Sequence, residues 1–594
     1  MSRVAKQWRL LPHDEASIQR LAAELGIAPV VAQLLLNRGY RDPAAARDFL
    51  AAPLSALHPP DSLPGAPRAA ALLWDAVCAG DKIVVYGDYD ADGVTSTAIL
   101  WQALRLVGGD ATYYVPNRLE EGYGLNCDAL RKIADSGAKW VVTVDCGVAS
   151  VTEVVEADRL GLRLIVTDHH AVSRAALQFW QARDWHPVHP KLRDGDFAPF
   201  PLAPFGELSG SGVAFKLAWL IGQRASGGDK VSPKLRDFLM DALGLATIGL
   251  IADVMPLTGE NRTFVRHGLK RLDSSSNLGV KALVQRAGID TTKPLRAEDV
   301  AFRLAPRLNA AGRLGLAGMV VELLTTVQPE KAQTLAEFLE EQNRQRQSIE
   351  REIVREAREM IAAATCRDAP ALVLASPQWH PGVVGIVAGR LAEQFGRPAL
   401  LIAIRDGIAT GSGRSVPGFV LHEALRACSD ELIGHGGHAA AAGFRLDPSR
   451  IDAFRERFSA VAAAHFPSGP PRPTLNLDAE LPLSALTTGL VKALSALEPF
   501  GAGNPRPLMF SGDLQVVGEP RKMGGGERHL NFRVRQGGTT LRCVAWSMAE
   551  RIEELMSEGG RVAIVYTPRI NEWNGYTSVE LDITDFRAGS ADLA

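Results

Sequence analysis

From residue 81 to about residue 257 the chain repeats one pattern, a short and largely apolar run followed by a segment of helix length. Residues 82–86, 140–144 and 162–166 are such runs, and all three are rich in Val, Ile and Leu. Because they lack polar alternation they read as strands buried on both faces. Strands alternating with helices predict a parallel sheet covered by helices. Upstream, Leu21, Leu25, Val31, Leu34, Leu35 and Leu36 are spaced for helices that end in a proline-rich stretch, which predicts a small N-terminal helical region over residues 1–70.

After Pro329 the period changes. Leu335, Phe338, Leu339, Ile349, Ile353, Ala357, Met360 and Ile361 form one apolar stripe along a charged, proline-free stretch. This predicts a long amphipathic helix over about 326–365, acting as a strut between two lobes. A smaller α/β pattern follows over 366–466, with strands at 371–374 and 399–402 around a helix at 385–395. Beyond the prolines at 467–473, short alternating runs such as 531–535 and 561–566 predict a separate β-barrel domain over 467–594. The first α/β pattern, taken as 71–325, is the larger lobe.

Length and composition narrow the class. At 594 residues the chain exceeds what one hydrophobic core holds, so several domains are expected. With 46% hydrophobic and 22% charged residues it falls in the ordinary globular range, and no apolar run approaches the ~20 residues of a membrane helix. The N-terminus lacks the pattern of a secretory signal, so a cytoplasmic location is expected. Six scattered cysteines offer neither a zinc spacing nor a disulfide framework. A net charge of -2 means that any binding of a polyanion must come from local basic clusters.

The chemistry concentrates where the predicted strands end. Asp88, Asp90 and Asp92 follow the first strand at alternate positions, Asp145 follows the second, and Asp168, His169 and His170 follow the third. Ligands of an open α/β sheet bind beyond the carboxyl ends of its strands, so these acids and imidazoles share one edge. A calcium loop does not fit the first motif, because its twelfth position is Ile99 and a strand precedes it. Clustered oxygen and imidazole donors suit Mn²⁺ or Mg²⁺ rather than structural zinc.

These residues carry a resemblance. Asp90 and Asp92, then Asp145, then Asp168-His169-His170, then Asp253 in the Ala-Asp-Val-Met-Pro-Leu segment resemble the four ordered motifs of the DHH phosphoesterase superfamily. Residues 302–313, which contain Asn309 and Arg313, and residues 379–390 resemble its RecJ branch. Residues 434–443, with His435, Gly437 and His438, resemble the substrate-binding glycine motif of the DHHA1 domain, and residues 497–505 the entry to an oligonucleotide-binding (OB) domain.

The resemblance implies a two-metal hydrolase of single-stranded DNA. Asp145 would bridge two Mn²⁺ or Mg²⁺ ions, with Asp88 and Asp90 on one side and Asp92, His169 and Asp253 on the other. His170 would contact the scissile phosphate, and Asp168 would orient an imidazole. The implied reaction is removal of 5′-mononucleotides in the 5′-to-3′ direction during DNA repair and recombination. A smaller-substrate phosphodiesterase of the same superfamily and a non-catalytic repair scaffold are the alternatives. A monomer working with a single-strand-binding protein and a RecQ-type helicase is implied by resemblance alone.

Phosphate handling away from the metals is expected from Ser412, Gly413 and Arg414, a Gly-Ser-Gly-Arg-Ser tract read as a loop that offers backbone amides, a hydroxyl and a guanidinium. Arg118 and Arg313 are further phosphate candidates. The glycines around His435 and His438 either admit DNA close to the backbone or form a packing turn. In the C-terminal domain Arg521, Lys522, Arg528, Arg533, Arg535 and Arg542, with Phe532 and Trp546 nearby, predict a basic groove with stacking aromatics for single strands, while the alternation of Phe532 with Arg533 equally fits Phe532 in the core.

Overall fold

A computed structural model of the chain describes residues 6–117, 121–122, 124–183, 187–191, 205–363, 369–467, 469–470, 472–573, 575–589 and 593. The chain divides into two compact units, one built mainly from Leu54–Pro471 and one from Ala5–Pro53 with Arg472–Ala594.

In the first unit the apolar runs form four parallel strands: β1 (Ile83–Gly87), β2 (Ala111–Tyr114), β3 (Trp140–Val144) and β4 (Arg163–Ile165), in the order β2-β1-β3-β4. Every residue of β1 and β3 is buried, as their unbroken hydrophobicity predicts. Helix α1 (Ala91–Leu106) leaves the end of β1. It packs with α2 (Gly210–Ser226) and α3 (Pro233–Ala252) around a core that includes Val94, Leu100, Val213, Leu217 and Ile248. After α4 (Ala305–Arg313) comes α5 (Pro329–Ala362), the predicted long helix. Its first half buries Ala332, Leu335, Ala336 and Leu339 in the core of the first lobe. Its second half gives Ile353, Ala357 and Ile361 to the core of the next. One stripe thus serves two cores, which is what makes the helix a strut.

The second lobe is a mixed sheet of β5 (Leu372–Ser376), β6 (Ala399–Arg405), β7 (Ile408–Arg414), β8 (Gly434–Gly437) and β9 (Ala441–Leu446), with helix α6 (Pro381–Phe395) packed on β6 and β7. The order is β5-β6-β7-β9-β8. This corrects the reading of residues 411–415 as a phosphate-binding loop. Gly411 to Arg414 lie in β7, paired with β6 on one side and β9 on the other. The backbone amides of a strand paired on both sides are spent on the ladder and cannot form an anion nest.

The second unit closes the predicted barrel. Met509–Val516 pairs with Arg561–Trp573, which continues through Tyr576–Ala588, Thr539–Ala545 and His529–Gln536. The last strand returns to the first through Gln515–Arg535 and Val516–Val534. The N-terminal helices are present as predicted, but they are not a separate unit. Ile18, Leu21, Val31, Leu34 and Leu35 share one core with Leu483, Leu497, Leu514, Val562 and Leu581. In addition, Gln7–Leu10 pairs in parallel with Thr474–Leu477. Residues 54–70 belong instead to the first unit.

This shared core yields a prediction. Leu34 is fully buried, so Leu34→Ala removes packing from the C-terminal unit at a cost of about 2–5 kcal/mol. Hydrogen exchange should quicken in the barrel strands and stay unchanged in β1 and β3. Acceleration confined to residues 5–53 would contradict the shared core.

Candidate metal centre and phosphate cleft

The backbone at the end of β1 turns directly into a helix. Asp90 caps α1, its Oδ1 accepting from the amides of Asp92 at 3.0 Å and Gly93 at 3.1 Å. Asp92 lies in the first turn and points toward α2, whose first amides meet it: Gly210 N donates to Oδ2 at 2.7 Å and Ser211 N to Oδ1 at 3.1 Å. A helix N-terminus stabilises a carboxylate placed there. The fit leaves no room for side chains. A Cβ at Gly210 would lie 2.5 Å from Asp145 Oδ1, and one at Gly249 would lie 2.3 Å from Asp92 Oδ1.

Asp145 follows β3 in the left-handed region, at φ 64°. An L-residue is disfavoured there, although Asp tolerates it better than most. The turn is held by Thr143, whose Oγ1 donates to Cys146 O at 2.7 Å, and by Thr167, whose Oγ1 donates to Thr143 O at 2.8 Å. This aims Asp145 Oδ1 at His169, 3.1 Å from Nε2. His169 Nε2 is also 3.5 Å from Asp253 and 3.9 Å from Asp92.

The donor atoms of Asp88, Asp90 and Asp145 lie within 4.8 Å of one another. So do those of Asp92, His169 and Asp253, and those of Asp145, His169 and His170. Both ring nitrogens of His169 and Oδ1 of Asp145 are buried with no hydrogen-bond partner among the described residues. Buried polar atoms are nearly always satisfied, so these fit a cation better than a protein partner. Burial and the neighbouring carboxylates hold Asp145 well above the usual carboxylate range, and burial with Asp92 and Asp90 pushes Asp253 up to about 8. Burial also lowers His169 to about 4, which keeps a lone pair available at neutral pH.

His170 behaves differently. Burial disfavours its cation, but Asp168 outweighs burial and raises it to about 9. Asp168 Oδ1 is 2.7 Å from His170 Nδ1 and accepts from the amides of His169 at 2.7 Å and His170 at 3.1 Å, while Oδ2 accepts from Val148 N at 2.9 Å. The imidazole that Asp168 orients is therefore that of His170, not that of His169. Sequence reasoning missed His189, fully buried, whose Nε2 is 2.8 Å from the carbonyl of His170. It also missed Gly210 and Ser211, although a Ser-Gly-Ser-Gly run ahead of a helix is a signal for an anion-binding N-terminus.

A cleft of about 510 Å³ in the same unit gathers Arg313, Ser412, Arg414 and His435, joined by Thr410 and Arg445, which the sequence did not single out. Arg313 Nη1 donates to Gly382 O at 3.0 Å, and Arg414 Nη1 to Ser412 Oγ at 3.2 Å. Gly413 is not part of it, because alternation along β7 turns position 413 toward Leu400 and Leu421. Gly437 and His438 lie outside the cleft as well. At Gly437 the φ of 136° and a Cβ position 2.5 Å from Ala441 O make glycine a requirement of the β8–β9 turn. Asn309 Oδ1 accepts from Ala91 N at 2.7 Å, which ties α4 to the start of α1. Arg118 lies outside the described residues.

In the second unit Arg533 is exposed opposite Arg542, whose guanidinium pairs with Glu580 at 2.8 Å. Phe532 is 3% exposed and packs on Phe586, so it belongs to the core and not to a stacking surface. Trp546 is exposed, its ring against His529.

Residues 82–247 match the DHH family N-terminal domain, residues 368–464 the DHHA1 domain and residues 477–585 the RecJ OB domain. The single-stranded-DNA-specific exonuclease RecJ of Bacillus subtilis is 36% identical over 582 residues, covering 98% of this chain and 70% of that protein. The chain belongs to the RecJ family. Thermus thermophilus RecJ solved in complex with Mn²⁺ superposes at a TM-score of 0.81 with 34% identity, over 99% of this chain and 80% of that one. The RecJ complex with Mg²⁺ from the same organism gives 0.76 with 33% identity, over 99% and 79%.

The charge arrangement fixes a pH dependence. Asp253 binds its proton more tightly folded than unfolded, so in metal-free protein its contribution to stability is full below about pH 4 and is lost as pH rises through about 8. A cation must displace that proton, so Mn²⁺ affinity should rise across the same window with proton release. Calorimetry in two buffers of different ionisation enthalpy measures this. Affinity independent of pH between 5 and 8 would contradict it.

Proposed function

We propose that this chain is a metal-dependent exonuclease specific for single-stranded DNA that starts at a 5′ end and releases 5′-mononucleotides in repair and recombination. The observation that carries this reading is the buried acid and imidazole cluster, with an arginine-lined cleft in the same unit, in a chain that matches RecJ exonucleases over nearly its own whole length. The match extends through the OB domain, which weighs against the smaller-substrate phosphodiesterase and the scaffold.

Mn²⁺ or Mg²⁺ is the cofactor, and a bound pair of such ions would supply the positive charge that offsets the phosphodiester and would lower the pKa of a water near them. Asp145 serves both positions, Asp88 and Asp90 one of them, and Asp92, His169 and Asp253 the other. His170, held cationic by Asp168, donates to the scissile phosphate and offsets charge as it grows. His189 fixes the main chain on which His170 is carried. Arg414, Ser412 and Arg313 hold the terminal phosphate, and Arg533 with the other exposed arginines of the barrel holds the strand's backbone. No single helix among the described residues is long and apolar enough to cross a membrane. By family resemblance, the reading extends to a cytoplasmic monomer working with a single-strand-binding protein and a RecQ-type helicase.

Two variants test the reading. Asp145→Ala should leave under a few per cent of wild-type hydrolysis while single-strand binding persists, and substantial residual turnover would contradict the shared ligand. Arg414→Ala should cost roughly 1–3 kcal/mol of transition-state stabilisation on 5′-phosphorylated strands and much less on 5′-hydroxyl strands. Equal losses on both ends at one salt concentration would make Arg414 a general backbone contact.

A further inference from the structure

Helix α3 ends at the metal centre, and it ends in a Schellman turn. Met255 N donates to Leu250 O at 3.2 Å and Val254 N to Ile251 O at 3.1 Å, with Leu250 and Met255 both buried in the first lobe's core. This turn places its central residue in the left-handed region, where glycine is strongly favoured. The chain follows that preference at other helix ends, with Gly26, Gly227 and Gly396. Here the position holds Val254, at φ 57°, the one β-branched residue with positive φ among the described residues. A branched side chain is the most strained choice for this conformation.

Burial does not offset the strain. Val254 is 70% exposed, so its isopropyl group contributes almost nothing to the core. Its position is the remaining explanation. Val254 follows Asp253, and Asp253 and His170, with side chains 31% and 35% exposed, are the open side of a cluster in which Asp92, Asp145 and His169 are at most 5% exposed. A substrate must approach from that side. Strain that serves no packing, beside reacting groups, points to function.

We propose that Val254 is a substrate contact, an apolar wall for the sugar and base of the nucleotide whose phosphodiester is held at the metal centre. The proposal rests on the exonuclease reading and names a contact residue for that same site. The wall supplies what the acids cannot, a surface for the uncharged part of a nucleotide beside a site that attracts only its phosphate.

The test uses the full-length, Mn²⁺-loaded chain and its Val254→Gly, Val254→Asn and Val254→Ile variants, read by thermal unfolding, Mn²⁺ titration and steady-state digestion of a 5′-phosphorylated single strand. Gly and Asn both tolerate the left-handed region and lack the apolar surface. Each should raise Tm by about 1–2 °C and raise KM roughly five- to tenfold, the scale of one lost apolar side-chain contact, with Mn²⁺ affinity unchanged. Val254→Ile keeps the branched surface and should keep the wild-type KM. Unchanged KM in Gly and Asn, a lowered Tm in Gly, or a loss of Mn²⁺ affinity would overturn the contact, the last by showing that Val254 acts only through Asp253. If the wild-type chain fails to digest the strand, the exonuclease reading falls and this inference falls with it.

Discussion

Repulsion among carboxylates is the constraint on which this structure turns. Asp88, Asp90, Asp92, Asp145 and Asp253 share one small site with His169, buried at Asp88, Asp92, Asp145 and His169 and half-buried at Asp90 and Asp253. Two like charges 4 Å apart repel by about 4 kcal/mol at an effective dielectric near 20. A site with several such pairs is tolerable when some groups stay protonated or when cations replace the protons. The upward shifts of Asp145 and Asp253 express the first state, and the orphaned nitrogens of His169 mark the site as built for the second.

The rest of the first unit holds that cluster in place. Three parallel strands bring the acids and imidazoles to one edge, and the α2 N-terminus receives Asp92 through two amides. Glycines at 210 and 249 let helices approach the carboxylates to distances that any Cβ would block. Of the non-glycine residues described in this unit, Asp145, Val254 and Asp406 occupy the left-handed region; the first two lie at its chemistry and the third in the β6–β7 turn. Asp168 keeps the neighbouring His170 cationic while His169, one residue away, stays neutral. Two adjacent imidazoles thus hold their protons with opposite preference.

Much of this was legible in the sequence, and where it was not, the reasons are physical. Largely apolar runs at 82–86 and 140–144 announced buried parallel strands, and the acids directly after them announced the site. The stripe after Pro329 gave the strut because helical periodicity is a local property. Gly411 to Arg414 misled because glycine and serine are turn residues by composition, whereas pairing on both sides makes them a strand. The partnership of Leu34 with Leu497 and Leu581 could not be read at all, since nothing local encodes a core shared across nearly the whole chain. Phe532, beside Arg533, left stacking and core both open in the sequence, and the structure turns it inward against Phe586.

The central claim is that the acid cluster is a two-cation site organised around Asp145. Electron paramagnetic resonance of the full-length chain titrated with Mn²⁺ tests it directly, because two ions sharing a carboxylate are exchange-coupled. The account predicts two ions per chain with a coupled spectrum at saturation, and loss of the coupled signal in Asp145→Asn. A single bound ion, or two ions with independent spectra, would contradict it.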